Sequence, residues 1–493
     1  MRYHVHFRVM FMASMIGILC LGLSLPGKSQ NTGNSTKFDS TFNSFKASIA
    51  SEFEKFQNKN DSTFLEFLQN AWKEYNLMKD TSRLKIKPKV QPHVQSLLPM
   101  KNAEKMDTIE QFQGPGNYEI HNEPIPEKDS YKIKSAYNSF DFYGEKNDLP
   151  EVTDIHLNTP IDNLSIIRFY RSYLKDPGLA EVAVKLKMIA RNLKLNDFGY
   201  YILVQKASQR LFTNVNDQIL YTWVSLLRSG LDVKAGYNKN DIILLMNCDN
   251  PLYNTNYISV KGVTYYLICA PDQEQHIKSL QTYDFSYPGK ASPVSIQIKE
   301  LPALYDKPET HVYIFHKDTI KVDINLFLID YLGNYPACEL KLYFNTPFSE
   351  KALISLDRKL RPLLSGKSEI EKVNTLLSFI QKSFPYKTDQ DQFGREKYMF
   401  CDEAVYYPYT DCDDRSVLFA RLVKHYTGLD AIGLDYPNHV SVGVRFTIPV
   451  KGDFVLYNNT KFFICDPTYI GARAGMAMDE MKTVRPEVIL VNN

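Results

Sequence analysis

An α+β chain of several domains is what the sequence predicts, and three observations carry that prediction. The chain has 493 residues, more than one hydrophobic core ordinarily organises. Its hydrophobic pattern switches from steps of three and four to strict alternation, then back again. Its composition is that of core-forming protein, 44% hydrophobic and 13% aromatic with 23% charged residues, so each part can bury apolar surface of its own. The net charge of +2 supports neither a nucleic-acid surface nor an acidic tail, so function has to reside in a site.

The N-terminal end reads as a secretory signal peptide over residues 1–29. A basic start, Met1 to Arg8, precedes the apolar run Val9–Leu25, and Gly27 and Ser29 are small enough for cleavage before Gln30. A retained membrane anchor is the alternative, although the run is short for a full span. Export to a periplasm, an outer surface or the medium follows from the first reading. Cys20 would leave with that peptide, and the other six cysteines, irregularly spaced, do not resemble a disulfide scaffold.

Residues 36–80 read as a helical hairpin. Phe38, Phe42, Phe45, Ile49, Phe53 and Phe56 mark one helix face. Asn60-Asp61-Ser62 interrupts and caps a second helix carrying Phe64, Phe67, Leu68, Trp72 and Tyr75. Residues 81–150, with Pro88, Pro92, Pro99 and Gly114-Pro-Gly116, read as a linker holding a few short strands. From 151 to 275 helical patterns at Leu164–Leu195 and Ile202–Leu227 precede strand-like runs at Asp241–Met246 and Val263–Cys269. Alternation at His311–Phe315, Ile320–Leu328 and Leu340–Phe344 predicts a small antiparallel β domain over 276–350.

The last segment, 351–493, opens on the capping-box pattern Ser368-Glu-Ile-Glu371. It leads through a polar loop to a helix starting at Cys412 and ending near Gly428. Val440–Phe446, Phe454–Tyr457 and Lys461–Cys465 read as strands, the last two joined at Asn458-Asn459-Thr460. The segment also repeats an earlier pattern. Ile219-Leu-Tyr-Thr-Trp and Ser229-Gly-Leu-Asp232 parallel Val417-Leu-Phe-Ala-Arg and Thr427-Gly-Leu-Asp430, and Ile268-Cys-Ala-Pro271 parallels Ile464-Cys-Asp-Pro467. In that register Cys412, His439 and Asp466 face Asn214, Asp241 and Ala270, so the first copy lacks all three.

Those three residues are the candidate chemistry. A cysteine in a first helical turn meets free backbone N–H groups that favour negative charge, and the thiolate is the nucleophilic form of the side chain. His439 begins a strand and Asp466 ends one, which lets an imidazole and the carboxylate that orients it converge on the thiol. The Cys412 backbone N–H is the natural oxyanion donor, with Tyr409 or Gln392 as second candidates. Other readings of the same residues stay open. Asp411, Asp413 and Asp414 oppose a thiolate, a Cys401–Cys412 disulfide is one alternative, and a zinc site of Cys401, Cys412, His439 and Cys465, without close paired spacing, is another. His425 falls on the exposed side of the helix. The pattern itself calls for no cofactor and no metal.

Asp411-Cys412-Asp-Asp, Tyr436-Pro-Asn-His439-Val and Ile464-Cys-Asp466-Pro-Thr together resemble the transglutaminase-like superfamily of papain-related cysteine enzymes, over roughly residues 365–475. The resemblance implies a papain-like α+β core with Cys412, His439 and Asp466 in the triad roles, and makes the 151–275 segment a degenerate copy. It implies a cysteine hydrolase of peptidase or amidase type acting on a peptide or protein, with a cell-envelope component as a possible partner. Members also include crosslinking transglutaminases and catalytically dead binding modules, so a vestigial triad in an envelope scaffold is the alternative.

Overall fold

The computed structural model describes residues 57–69, 72–79, 92, 138–268, 277–289 and 291–492. It divides into two compact units, Met1–Ser62 and Thr63–Asn493. The signal peptide, the first helix of the expected hairpin and nearly all of 81–137 lie outside the described residues. In the first unit residues 57–62 are helical, so Asn60-Asp61-Ser62 is not a break. Ser62 Oγ bonds back to the Asn58 carbonyl at 2.9 Å, which satisfies the hydroxyl within the helix.

In the second unit residues 63–68 are helical, but the expected helix stops there. Trp72 and Tyr75 belong instead to β1 (Trp72–Asn76), followed by β2 (Met78–Lys79). The Trp72 indole donates to the Leu68 carbonyl at 2.7 Å, and β1 is taken up as a strand by pairing along its whole length with Ser279–Tyr283. A ladder from 200 residues away overrides the local helical period, as tertiary contacts commonly override propensity. The hairpin β3 (Asn138–Phe142) and β4 (Glu145–Leu149) follows within the expected linker.

The pattern at 164–195 resolves into two helices, α1 (Asn163–Lys175) and α2 (Pro177–Asn192). Asp176 ends the first and caps the second by accepting from Leu179 N, and Pro177 sits where its missing N–H costs nothing. Two more helices, α3 (Asp197–Leu211) and α4 (Val215–Leu227), precede the first sheet. Its strands are β5 (Val233–Tyr237), β6 (Ile242–Met246), β7 (Asn256–Val260), β8 (Val263–Ile268) and β9 (Ser279–Tyr283). The order is β1-β9-β5-β6-β8-β7-β2, every pair antiparallel.

The stretch expected as a β domain over 276–350 is divided among other elements. β9 joins the first sheet, and only β10 (Pro308–Phe315) and β11 (Asp318–Asn325) pair with each other. The chain then turns helical in α5 (Leu326–Gly333) and α6 (Leu340–Asn345). Leu340-Lys-Leu-Tyr-Phe looks alternating, yet Leu342, Tyr343 and Phe344 are buried in succession, which a strand facing one core cannot do. Tyr343 packs its ring on Phe400 with centroids 4.6 Å apart.

α7 (Glu350–Leu364) and α8 (Glu369–Ser383) lead into the C-terminal half, and Glu371 accepts from Ser368 N at 2.9 Å as the capping box requires. Two short helices, α9 (Asp389–Phe393) and α10 (Cys401–Ala404), occupy the expected loop before α11 (Cys412–Thr427). α11 ends on Gly428 at φ 71°, a left-handed cap that favours glycine. The second sheet has β12 (Asp430–Tyr436), β13 (His439–Arg445), β14 (Phe454–Tyr457), β15 (Thr460–Cys465) and β16 (Glu487–Leu490), in the order β14-β15-β13-β12-β16. Asn458 and Asn459 both take positive φ in the β14–β15 turn, which asparagine tolerates.

One continuous core runs through this unit, with Phe64, Trp223, Phe344, Phe419 and Val442 among its members. A second cluster, including Ile432, Tyr436, Phe462 and Ile464, covers the opposite face of the second sheet, so β13 is buried on both sides. No helix among the described residues is long and apolar enough to cross a membrane.

Candidate active site

The site is built where the start of α11 meets one end of β13. Asp411 is the N-cap: its Oδ1 accepts from Asp413 N at 3.3 Å, and Asp414 Oδ2 accepts from Asp411 N at 3.1 Å, a reciprocal box that fixes the first turn. Cys412 is the first helical residue. One turn on, Ser416 Oγ donates to the Val440 carbonyl at 3.0 Å, which ties this helix face to the residue after His439.

His439 is placed by the two-residue turn Pro437-Asn438, opposite Tyr436, whose ring lies nearly parallel to the imidazole. His439 Nε2 and Asp466 Oδ2 are 2.7 Å apart. Asp466 is held in turn, its Oδ1 accepting from Thr468 N at 2.9 Å and Tyr469 N at 3.1 Å. Gln381, on α8, donates to the carbonyls of Asp466, Tyr469 and Ala472 and accepts from Gly471 N, so one buried amide staples the loop that carries the carboxylate. Sequence reasoning named Cys412, His439 and Asp466 but not Gln381 or Ser416, which act through backbone groups that no motif displays.

The electrostatics follow from burial. Cys412 is 0% exposed and His439 and Asp466 are 1% exposed. Burial alone would lower the basicity of His439, but the charge and hydrogen bond of Asp466, joined by those of Cys412, outweigh it and push the ring up to about 10. The imidazole therefore stands as imidazolium at neutral pH. Its Nδ1 makes no hydrogen bond of ordinary geometry and is the ring atom left for the thiol. The Cys412 sulfur itself has a weak contact of 3.9 Å with Asp413 Oδ1. Loose thiol–imidazole geometry is usual for a nucleophile and base without substrate.

The crowding acids are muted. Burial, and then repulsion from the neighbouring aspartates, hold Asp411 and Asp414 well above the usual carboxylate range. Arg415 is a buried cation on the same turn, pulled down to about 10 by burial. It donates to Thr410 Oγ1 at 3.1 Å and to the Phe384 carbonyl, with its guanidinium 5.3 Å over the Tyr386 ring. Tyr386 is pushed up by burial first and next by the charge of Cys412, so the two groups lie within electrostatic reach of each other. A bridge between Tyr386 and Thr410 keeps the two segments side by side. Of the donors expected from sequence, Tyr409 is 38% exposed and under the Lys387 ammonium, and Gln392 keeps both amide atoms buried and unbonded. Tyr386, which the sequence reading passed over, is bridged to Thr410 two residues before Cys412 and feels the Cys412 charge.

Cys401 and Cys412 are both free thiols, which removes the disulfide reading. Cys401 turns instead toward the Val417 carbonyl at 3.9 Å, pushed up to about 12 by burial. The Cys401, Cys412, His439 and Cys465 quartet does not converge. Among the described residues the groups close enough to share an ion are Asp411-Cys412-Asp413 and Asp389-Asp411-Asp414. The Asp414 oxygens already accept from Met399 N and Asp411 N, and Asp389 accepts from Lys397 N, so these carboxylates serve as backbone clamps. His425, near the surface as expected, bonds to Asp357 at 3.1 Å.

No family model, no curated protein and no solved structure matches this chain. The fold is mixed α+β with several antiparallel sheets, and the candidate site is a buried cysteine, histidine and aspartate at the junction of one helix and one sheet.

Proposed function

We propose that the chain is an exported cysteine hydrolase of the transglutaminase-like kind, cleaving a peptide or amide bond through a Cys412 thioester. One observation carries the reading: His439 commits Nε2 to Asp466 and leaves Nδ1 for Cys412 at a helix start. In this scheme the thiolate attacks the carbonyl carbon and His439 passes its proton to the departing amine. Water then resolves the thioester, with His439 taking the water proton. The Cys412 backbone N–H, at a helix position without an intrahelical acceptor, and the Tyr386 hydroxyl are the oxyanion donors. Because the sulfur is fully covered, substrate entry displaces a neighbouring group, and half-buried Tyr386 is the one in place to move.

The test is alkylation by iodoacetamide at pH 6, with the modified cysteine located by mass spectrometry. The expected result is rapid labelling of Cys412 that is lost in His439→Ala. A Cys412 that labels no faster than a model thiol would sink the enzyme reading. It would favour a second one, a cell-envelope binding or scaffold protein with a vestigial triad, for which the zero exposure of Cys412 speaks. If a labelled primary amine is incorporated into a glutamine-bearing protein, the thioester is resolved by an amine and the enzyme is a crosslinking one.

A further inference from the structure

A second site lies away from the triad. A cleft of about 580 Å³ opens between the β3–β4 turn, α3, α5 and the loop that runs on to Cys412. That volume falls within the range of small-ligand sites. Its walls are aromatic and acidic, with Tyr143, Phe327, Tyr406 and Tyr407 alongside Asp141 and Asp330.

Three features mark it as more than a surface dent. Tyr143 sits at φ 50°, left-handed backbone that a bulky residue rarely adopts, with Gly144 at φ 88° completing the turn. The ring is held there by Asn334 Nδ2, which donates to its hydroxyl at 3.0 Å. Asp330 is exposed and, like Asp141, makes no ion pair with any described residue. The ionisation of Tyr143, Tyr406 and Tyr407 is opposed chiefly by burial, and the Asp330 charge adds to all three, so this carboxylate stands among three tyrosines. Lastly, the Lys206 ammonium already lies 4.9 Å over the Tyr143 ring, an internal example of the contact these walls offer.

From this geometry we infer that the cleft binds a cationic side chain, the guanidinium or ammonium of a peptide, between the tyrosine faces and Asp330. Ring faces and carboxylates both favour a cation, and two lining carboxylates face one lining ammonium, so the wall keeps a net negative charge. Lys206 is a resident competitor that occupies the Tyr143 ring, and the Lys397 ammonium lies 5.3 Å over the Tyr407 ring, which leaves Tyr406 for the ligand. The binding does not depend on catalysis. If the chain is a hydrolase, the cleft is a subsite for a basic residue of its substrate, since Tyr407 lies five residues before Cys412 on the same segment.

The experiment uses the full chain carrying Cys412→Ala, so that no turnover intervenes, with N-acetyl-arginine amide and its uncharged citrulline counterpart titrated calorimetrically. The arginine probe is expected to bind about tenfold tighter than citrulline, and Asp330→Asn to remove most of that difference. Lys206→Met is expected to tighten arginine binding several-fold, an effect that a misfolded variant cannot produce. Equal affinity for the two probes, no binding of either, an unchanged affinity in Asp330→Asn, or weaker binding in Lys206→Met would each overturn the assignment.

Discussion

The two halves of the Thr63–Asn493 unit repeat one design and differ where the chemistry lies. In each, a helix is followed by five strands. The fifth pairs with the first, the first with the second, the second with the fourth and the fourth with the third, giving β9-β5-β6-β8-β7 and β16-β12-β13-β15-β14. Each helix carries a buried aspartate at its third position that accepts a backbone N–H from an incoming segment: Asp217 from Leu157 at 2.7 Å and Asp414 from Met399 at 3.0 Å. That clamp belongs to the fold. The thiol, the imidazole and its carboxylate do not, because the first half reaches the same topology without them.

The ladders show how the first half loses them. Ala235 pairs with Leu244 and Leu244 with Ile268, whereas Ile432 pairs with Gly443 and Gly443 with Ile464. The first loop-back takes 244 − 235 = 9 residues and the second 443 − 432 = 11. The strand pair is thus shorter in the first half. The place of His439, four residues before Gly443, falls on Asn240, exposed in the turn and one residue from the Asp241 expected by sequence matching. Asn214 caps its helix as Asp411 does, so Val215 occupies the helical place of Cys412, and Ala270 lies outside the described residues. Two residues of hairpin extension are what carry an imidazole over the helix start.

The comparison breaks most visibly if the two thiols behave alike. Cys412 is expected to alkylate at pH 6 far faster than half-buried Cys248, whose thiol is pushed up by burial and by Asp249. His439→Ala should slow Cys412 by roughly 10²-fold, since it removes the cation that favours the thiolate, and leave Cys248 unchanged. Competitive labelling read by mass spectrometry checks both. Equal rates in the native protein would mean that the second half is as inert as the first.

Smaller effects concern stability. The two clamps should be equivalent, so Asp217→Ala and Asp414→Ala should each cost about 1–3 kcal/mol by urea unfolding, through an orphaned backbone N–H. A cost confined to Asp414 would tie that carboxylate to the site and not to the shared fold. His439 adds a pH signature. Its pKa is raised in the folded state, so its stabilisation is full below the unfolded value near 6.5 and disappears as pH rises through about 10. The unfolding midpoint of the native chain should fall relative to His439→Ala between pH 6 and 10, and parallel curves would contradict that protonation. Smallest of all, Ser416→Ala should cost about 1 kcal/mol, since it removes one buried bond to Val440.

Much of this protein was legible in its residues. Ser368 and Glu371 announced a helix start, Gly428 a helix end and the two asparagines a hairpin, because caps and turns are decided within a few residues. The repeat and the order of thiol, imidazole and carboxylate were legible too. Local pattern failed where distant chain decided the outcome. Trp72–Asn76 became strand because Ser279–Tyr283 offered a ladder, and Leu340–Asn345 became helix because three successive side chains found one core. What the tertiary structure alone decided is the state of the site. Burial sets the charges of Asp411 and Asp414, Asp466 outweighs burial at His439, Gln381 staples the Asp466 loop across 85 residues, and Tyr386 is bridged to Thr410 from a separate segment. Desolvation and long-range hydrogen bonds depend on what surrounds a group, and no short stretch of sequence encodes its surroundings.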